Sequence, residues 1–329
     1  MACLYHASVS ALPLYLDTPP LRSHALPVGG GHVLQVQEFG RDGGIDAVVL
    51  HGGPGSGSSP LLRRVFDPAR FRIVCIDQRG AGGSRPRGAT AHNTTDDLLD
   101  DLRQVRQHLG IARWLVAGGS WGATLAVAYA ATEPNAVSAL LLRASFLARR
   151  EDIDWFFQGA AVEQPEAWQH FASVAPPERR HALLPWLDEV FTQGDDETVA
   201  RAALAWGRWE QTLAGIAPQA GTPFDTQMDA TIARYRIQSH YLANHCWLTA
   251  PTLLERAEAL PCVPTLLLHA RDDRVCRPEG AQALHERLPH SALRWIDHGG
   301  HDAAHPAMIS ATIHALNHYA DHGVFAPSP

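Results

Sequence analysis

The sequence lacks most of the features that would take it out of the ordinary globular class. Its five cysteines, Cys3, Cys75, Cys246, Cys262 and Cys276, are odd in number and widely separated. No pair has metal-ligand spacing, and the pattern argues against a disulfide framework. No apolar stretch approaches the roughly 20 residues needed to cross a bilayer. The opening residues, Met1-Ala2-Cys3-Leu4-Tyr5-His6, carry no basic leader. Positive charge is also scarce: 27 Lys plus Arg stand against 34 Asp plus Glu, a formal charge of −7, and the basic residues are scattered. That excludes an electrostatic footprint for nucleic acid or an anionic membrane. There is no internal repeat. The expectation from these absences is a cytoplasmic chain whose partners are small molecules. What is present is 46% apolar and 19% charged residues in a chain of 329, enough core for one large domain or two.

The stretch around which the rest is organised is Gly118-Gly119-Ser120-Trp121-Gly122, a G-x-S-x-G pattern. The apolar run Trp114 to Ala117 leads in and reads as a buried strand. The small-residue run Ala123 to Ala131 leads out and reads as a helix that packs closely on a sheet. A nucleophilic serine on a tight strand-to-helix turn needs that context, with glycines on either side where backbones cross.

Further strands are expected at Val33–Val36, Ala47–Leu50, Phe71–Ile76, Ala139–Leu142, Val263–His269 and Leu293–Ile296. A helix is expected after Thr94 or Thr95, with Asp96 and Asp97 in its first turn and Gly110 at its end. Continuous apolar strands alternating with helices imply a mostly parallel sheet covered on both faces, an α/β architecture with ligands beyond the strands' carboxyl ends. Residues 1 to about 26 read as an irregular surface arm, and the tail after Gly323 as frayed. Between about 146 and 250 strand patterns vanish and tryptophans accumulate (Trp155, Trp168, Trp186, Trp206, Trp209, Trp247). This predicts an inserted all-helical cap, 146–250, between two parts of the α/β core, 1–145 and 251–329, with one or two tryptophans lining a pocket.

A serine hydroxyl needs a base to take its proton and a carboxylate to orient that base. In this architecture the order is serine, acid, histidine. After Ser120, one strand end carries Asp272 and Asp273, and the next carries His298 and His301. His301 is the better base because Gly299-Gly300 supplies a flexible turn before it; His305, before Pro306, is expected at the surface. Spacing alone does not choose between Asp272 and Asp273, and the unused one is expected in solvent or paired with Arg271 or Arg274. For the oxyanion, the donors expected are the N–H of Trp121 and that of Gly53, in a loop where Gly52 and Gly53 allow close approach. His285-x4-His290 is one residue too long for a zinc-protease pair and is broken by Pro289. His314, His318 and His322 share a helical face that reads as a solvated surface, so no metal and no organic cofactor is expected. A binding protein on the same scaffold would not need the complete Ser, acid and His set.

With these residues laid out, the chain resembles the prolyl aminopeptidase (proline iminopeptidase) family of α/β-hydrolases from about Leu26 to about Asp321. The segments that carry the resemblance are His51-Gly52-Gly53-Pro54-Gly55, Asp77 to Ser84, Asn93-Thr94-Thr95, Gly118 to Gly122, Leu142-Arg143 and Trp206-Gly207-Arg208-Trp209-Glu210. The resemblance implies the α/β-hydrolase fold and Asp273 as the acid, placed just before Val275-Cys276. It implies substrate contacts from Glu210, Arg143 and Gly52, and release of an N-terminal proline from a small peptide or aminoacyl amide. One position departs: the family's second amine-binding carboxylate stands in an Arg-Ile-Glu-x-His-Tyr segment, which here is Arg236-Ile237-Gln238-Ser239-His240-Tyr241. Gln238 carries no charge, so a related hydrolase acting on other amides or esters is the alternative.

Overall fold

The computed structural model describes residues 12–216 and 228–326. Strands β1 (Arg22–Pro27), β2 (Val33–Gly40), β3 (Ile45–Leu50), β4 (Phe71–Ile76), β5 (Trp114–Gly119), β6 (Val137–Arg143), β7 (Thr265–Ala270) and β8 (Ser291–Ile296) form one sheet. Its order is β1-β2-β4-β3-β5-β6-β7-β8. The pairs β1–β2 and β2–β4 are antiparallel and the rest are parallel. Every residue of β5 and β7 is buried. That is why these strands read as unbroken apolar runs: helices cover both faces.

Residues 22–27, expected within an irregular arm, are instead an edge strand paired with β2 from Arg22 opposite Glu38 to Pro27 opposite Val33. None of them is buried. The main-chain ladder holds the strand, together with a polar cluster in which buried Glu38 lies 2.8 Å from His24 and 2.6 Å from Arg72. A strand held this way leaves no apolar alternation to read. The first eleven residues of the expected arm lie outside the described residues.

After α1 (Pro60–Arg63) comes α2 (Thr95–His108). Thr94 caps α2 by accepting from the Asp97 N–H, and the Asp97 carboxylate returns the bond to the Thr94 N–H. Gly110, at φ 65°, follows its end. Helix α3 (Trp121–Thr132) is buried from Trp121 through Ala130. It has no polar face because the core encloses it on all sides.

Between β6 and β7 the described residues form helices and short turns without a strand: α4 (Arg150–Phe157), α5 (Pro165–Ala172), α6 (Leu183–Gln193), α7 (Asp196–Leu213), α8 (Met228–Ala243) and α9 (Leu253–Ala257). Trp206 and Trp209 are the core of this segment and are fully buried. Trp206 stacks on Tyr235 at 5.2 Å between centroids and Trp209 on Phe171 at 5.9 Å.

Helices α10 (Pro278–Arg287) and α11 (Pro306–His322) complete the chain. The described part of the tail expected to fray is docked. The Phe325 ring lies 5.3 Å from that of Tyr319, and the His318 imidazole donates through Nδ1 to the Val324 carbonyl at 2.9 Å. Among the described residues, no helix is long and apolar enough to cross a membrane, and Cys75, Cys246, Cys262 and Cys276 are free thiols.

Candidate active site

The turn between β5 and α3 holds Ser120 at φ 56°, ψ −123°. A side chain at positive φ is strained, by about 1–3 kcal/mol, and such strain persists only where the surroundings enforce it. Here the glycines enforce it. A Cβ at Gly118 would lie 2.1 Å from the Gly122 carbonyl oxygen, and one at Gly122 would lie 2.2 Å from that of Leu50. Ser120 N–H donates to the Arg143 carbonyl at 2.9 Å, which ties the turn to β6.

The ends of β7 and β8 bring the acid and the base together. His301 Nδ1 lies 2.8 Å from Asp273 Oδ2. Asp273 is fully buried, and its Oδ1 accepts from the backbone N–H groups of Val275 and Cys276, both at 2.9 Å. Burial works against its charge, but His301, His269 and the Cys276 N–H outweigh burial and hold the carboxyl below its ordinary range. His298 is 88% exposed. His305 is half-buried with Nδ1 enclosed, not at the surface as expected, because it packs beside Gly299. Ser120 Oγ is turned toward Cys276 Sγ at 3.8 Å, and among the described residues it makes no hydrogen bond to His301.

Asp272 is exposed to solvent, as expected of the unused carboxylate, and pairs with neither Arg271 nor Arg274. Its Oδ1 accepts from Gly299 N–H at 3.0 Å and from Gly300 N–H at 2.9 Å, holding the turn that presents His301. Those arginines have other partners, Asp297 and Glu163. Replacing Asp272 with alanine is expected to lower kcat about tenfold with KM nearly unchanged, since the base loses its alignment while the pocket stays intact. Steady-state kinetics beside an unchanged melting curve would check this.

The loop after β3 is fixed through His51. Its Nε2 lies 3.0 Å from the Gln78 N–H, which can only donate, so Nε2 is the acceptor. Nδ1 then carries the proton and donates to the Gly52 carbonyl at 2.9 Å. Burial lowers the His51 pKa and keeps this neutral tautomer. Gln78 also donates to the His51 carbonyl and accepts from Trp121 Nε1 at 2.8 Å. The loop thus delivers Gly52 to the elbow, where a Cβ would lie 3.5 Å from Ser120 Cβ, and Gly53, at φ 113°, to the pocket. Trp121 opens α3, so its N–H is among the first-turn donors that lack an intrahelical acceptor.

A pocket at Ser120 holds about 430 Å³ of empty space, part of it open to solvent. Gly53 and Ser120 line it together with Phe146, Phe156, Phe157, Glu210 and Gln238. A larger depression on the helical segment, beside Trp186 and Arg201, does not reach Ser120. The pocket's aromatic wall is therefore phenylalanine, and none of the six tryptophans, one or two of which were expected there, lines it. Burial in the helical core takes Trp206 and Trp209, and Trp155 Nε1 donates to the Arg274 carbonyl at 2.8 Å.

Glu210 on α7 reaches the pocket with its Oε2 accepting from the Arg234 guanidinium and the Tyr235 hydroxyl, each at 2.8 Å. Gln238 on α8 is 5% exposed, and its Oε1 is buried without a hydrogen-bond partner.

Arg143, expected among the substrate contacts, lines a different cavity behind the elbow, with Gly118, Gly119 and Ala303. The reason is Gly119: a Cβ there would lie 2.4 Å from Arg143 Nη2, so the guanidinium fills the space the missing side chain leaves. Burial lowers the Arg143 pKa, opposed by Asp273 and Asp302.

Three groups escaped the sequence reading. His269 ends the apolar run of β7, fully buried, with Nε2 2.8 Å from the Cys276 carbonyl and 3.7 Å from Asp273 Oδ2. A histidine closing a buried strand just before the acid was the available signal. The bracing role of His51 and the pairing of Arg234 with Glu210 left none.

The α/β hydrolase fold family matches residues 48–306. The chain is 39% identical over 311 residues to a probable proline iminopeptidase of Leptolyngbya boryana, covering 93% of this chain and 96% of that one. It is 38% identical to the proline iminopeptidase of Arabidopsis thaliana, with 94% and 82% covered, and 37% identical to that of Neisseria gonorrhoeae, with 92% and 97% covered. Among solved structures, VinJ superposes with a TM-score of 0.64 at 19% identity, covering 92% of this chain and 99% of that one. The proline iminopeptidase of Mycobacterium smegmatis gives 0.57 at 20% identity, covering 91% and 100%. At those identities the superpositions speak for the fold alone.

Proposed function

Because the chain belongs to the proline iminopeptidase family of α/β-hydrolases, we propose that it is a serine aminopeptidase that releases an N-terminal proline, or a similar small residue, from a peptide or aminoacyl amide. The observation that carries this reading is the pocket itself. The serine shares its lining with two polar side chains, Glu210 and Gln238, that can receive a terminal nitrogen.

In the reaction, the Ser120 hydroxyl leaves the Cys276 thiol and turns to His301, which takes its proton as Oγ attacks the acyl carbonyl. Asp273 fixes the imidazole tautomer and stabilises the imidazolium. The N–H groups of Gly53 and Trp121 receive the oxyanion. His301 then passes its proton to the leaving amine. Water, deprotonated by His301 in turn, hydrolyses the acyl-enzyme. The pairing of His301 with Asp273 at 2.8 Å and the strained conformation of Ser120 support these roles. Residues 146–250 act as a cap that closes the pocket against longer acyl groups, between core parts 1–145 and 251–329.

The test is a set of arylamides. Prolyl 4-nitroanilide is expected to be cleaved, and N-acetylation of the prolyl group to cut kcat/KM at least about a hundredfold, because the acetyl group would need the space of Glu210 and Gln238. Equal cleavage of the acetylated substrate would overturn the exopeptidase reading in favour of a hydrolase of other amides or esters.

A further inference from the structure

His269, near the end of β7, is fully buried and has no part in the proton transfers described above. Its Nε2 lies 2.8 Å from the Cys276 carbonyl, which can only accept, so Nε2 carries the proton and donates. Nδ1 is then the bare nitrogen, enclosed without a hydrogen-bond partner. Burial lowers the pKa of the imidazole and keeps it neutral, against the pull of Asp273 and of the Cys276 bond. Glu279 on α10 and His301 also act on it, in opposite senses. The Trp295 ring on β8 meets the imidazole edge to face at 6.1 Å between centroids.

Cys276 ends the turn that follows β7. Its N–H and that of Val275 hold Asp273 Oδ1, each at 2.9 Å. Its carbonyl is tied back to the strand by His269. Strand, imidazole, turn and carboxylate therefore form one closed set of contacts behind the acid. The other carboxylate oxygen, Oδ2, faces His301 Nδ1 at 2.8 Å and stands 3.7 Å from His269 Nε2, beyond hydrogen-bond length.

We propose that His269 is a positioning residue: as a neutral donor to the Cys276 carbonyl, it fixes the turn that aims the Asp273 carboxylate at His301. This inference rests on the roles of Asp273 and His301 given above and adds a group that touches neither the substrate nor the reacting atoms. An apolar side chain would fill the same space and leave the carbonyl unpaired.

The experiment replaces His269 in the full chain. Phenylalanine keeps a ring beside Trp295 and removes the donor, while glutamine carries an amide N–H of similar reach. His269→Phe is expected to lower kcat about thirtyfold, with KM within about twofold, because the acid swings off its line to the base. The acid limb of kcat/KM reports the base of the free enzyme. It is expected to move about half a unit or more to lower pH, since an imidazolium parted from its carboxylate is easier to deprotonate. His269→Gln is expected to restore kcat to within about fivefold of the wild type and to return the limb. A folded phenylalanine variant with an unmoved limb overturns the proposal. A glutamine variant as impaired as the phenylalanine one does the same. Should phenylalanine abolish folding, nitrogen-15 NMR of the wild type at about pH 7 decides. The Nε2–H tautomer at His269 upholds the proposal, and the Nδ1–H tautomer or the imidazolium overturns it. Rates are read on prolyl 4-nitroanilide and on 4-nitrophenyl acetate. Turnover of the ester alone, with the His269 effects intact, would sink the prolyl assignment and leave this inference standing.

Discussion

Ser120→Ala is expected to lower kcat on prolyl arylamides by about four to six orders of magnitude, the scale seen when the nucleophile of a serine triad is removed. The loss should be separable from folding. Alanine at position 120 keeps a Cβ and so keeps the strained turn at φ 56°. The glycines that enforce the turn, Gly118 and Gly122, are untouched, and Ser120 Oγ contributes only a long contact to Cys276 Sγ at 3.8 Å. The urea midpoint should therefore stay near that of the wild type while labelling by a fluorophosphonate disappears. Residual turnover within a hundredfold of the wild type would show that the covalent step does not run through this serine.

The second large effect is expected at Asp273. Its Oδ1 is committed to two backbone N–H groups, at 2.9 Å each, and its Oδ2 faces His301 Nδ1 at 2.8 Å. In Asp273→Asn the amide oxygen keeps the backbone bonds and the NH₂ group faces the imidazole. Nδ1 must then accept, and the proton moves to Nε2, where it blocks transfer from the serine. The expected loss in kcat is about 10⁴-fold with KM little changed.

The same carboxylate affects stability in acid. Burial opposes its charge, but His301, His269 and the Cys276 N–H hold its folded pKa below the ordinary 3.8. A group depressed on folding contributes stability that is complete above the unfolded pKa. That contribution is lost as pH falls from the unfolded pKa through the lower folded one. Urea midpoints measured from about pH 6 down to about pH 3 should fall less steeply in Asp273→Asn than in the wild type.

The residues proposed to do the chemistry were readable because each sits at a strand end whose apolar run announces it. Ser120 follows β5, Asp273 follows β7 and His301 follows β8, and the parallel sheet forces all three to one edge. Spacing did not separate Asp272 from Asp273. That choice lies in side-chain direction, since Asp273 turns inward to His301 and Asp272 reaches across to the Gly299-Gly300 turn. The pairing of Glu210 with Arg234 was hidden for a related reason. Glu210 and Arg234 lie on different helices, and only the way α7 packs against α8 decides that they meet. The helical aromatic segment was legible as a change of texture. Which rings line the pocket was not, because the tryptophans and phenylalanines are equally apolar and only packing divides them between core and cavity.

Several motifs behind the family resemblance turn out to be couplings. Asn93 donates to the Arg79 carbonyl at 3.2 Å and accepts from the Tyr241 hydroxyl on α8 at 2.8 Å. Arg79 in turn makes a two-point pair with Asp101, both bonds at 2.7 Å, in the core.

The last turn of α7 carries this linkage further. The carbonyl of Ala214, four residues beyond Glu210, accepts the main-chain N–H of His301 at 3.3 Å, and Gly300 fits beneath that carbonyl only because it has no Cβ. The helix that carries Glu210 therefore also holds the main chain of His301. Any displacement of the end of that helix would remove a support from the main chain of His301.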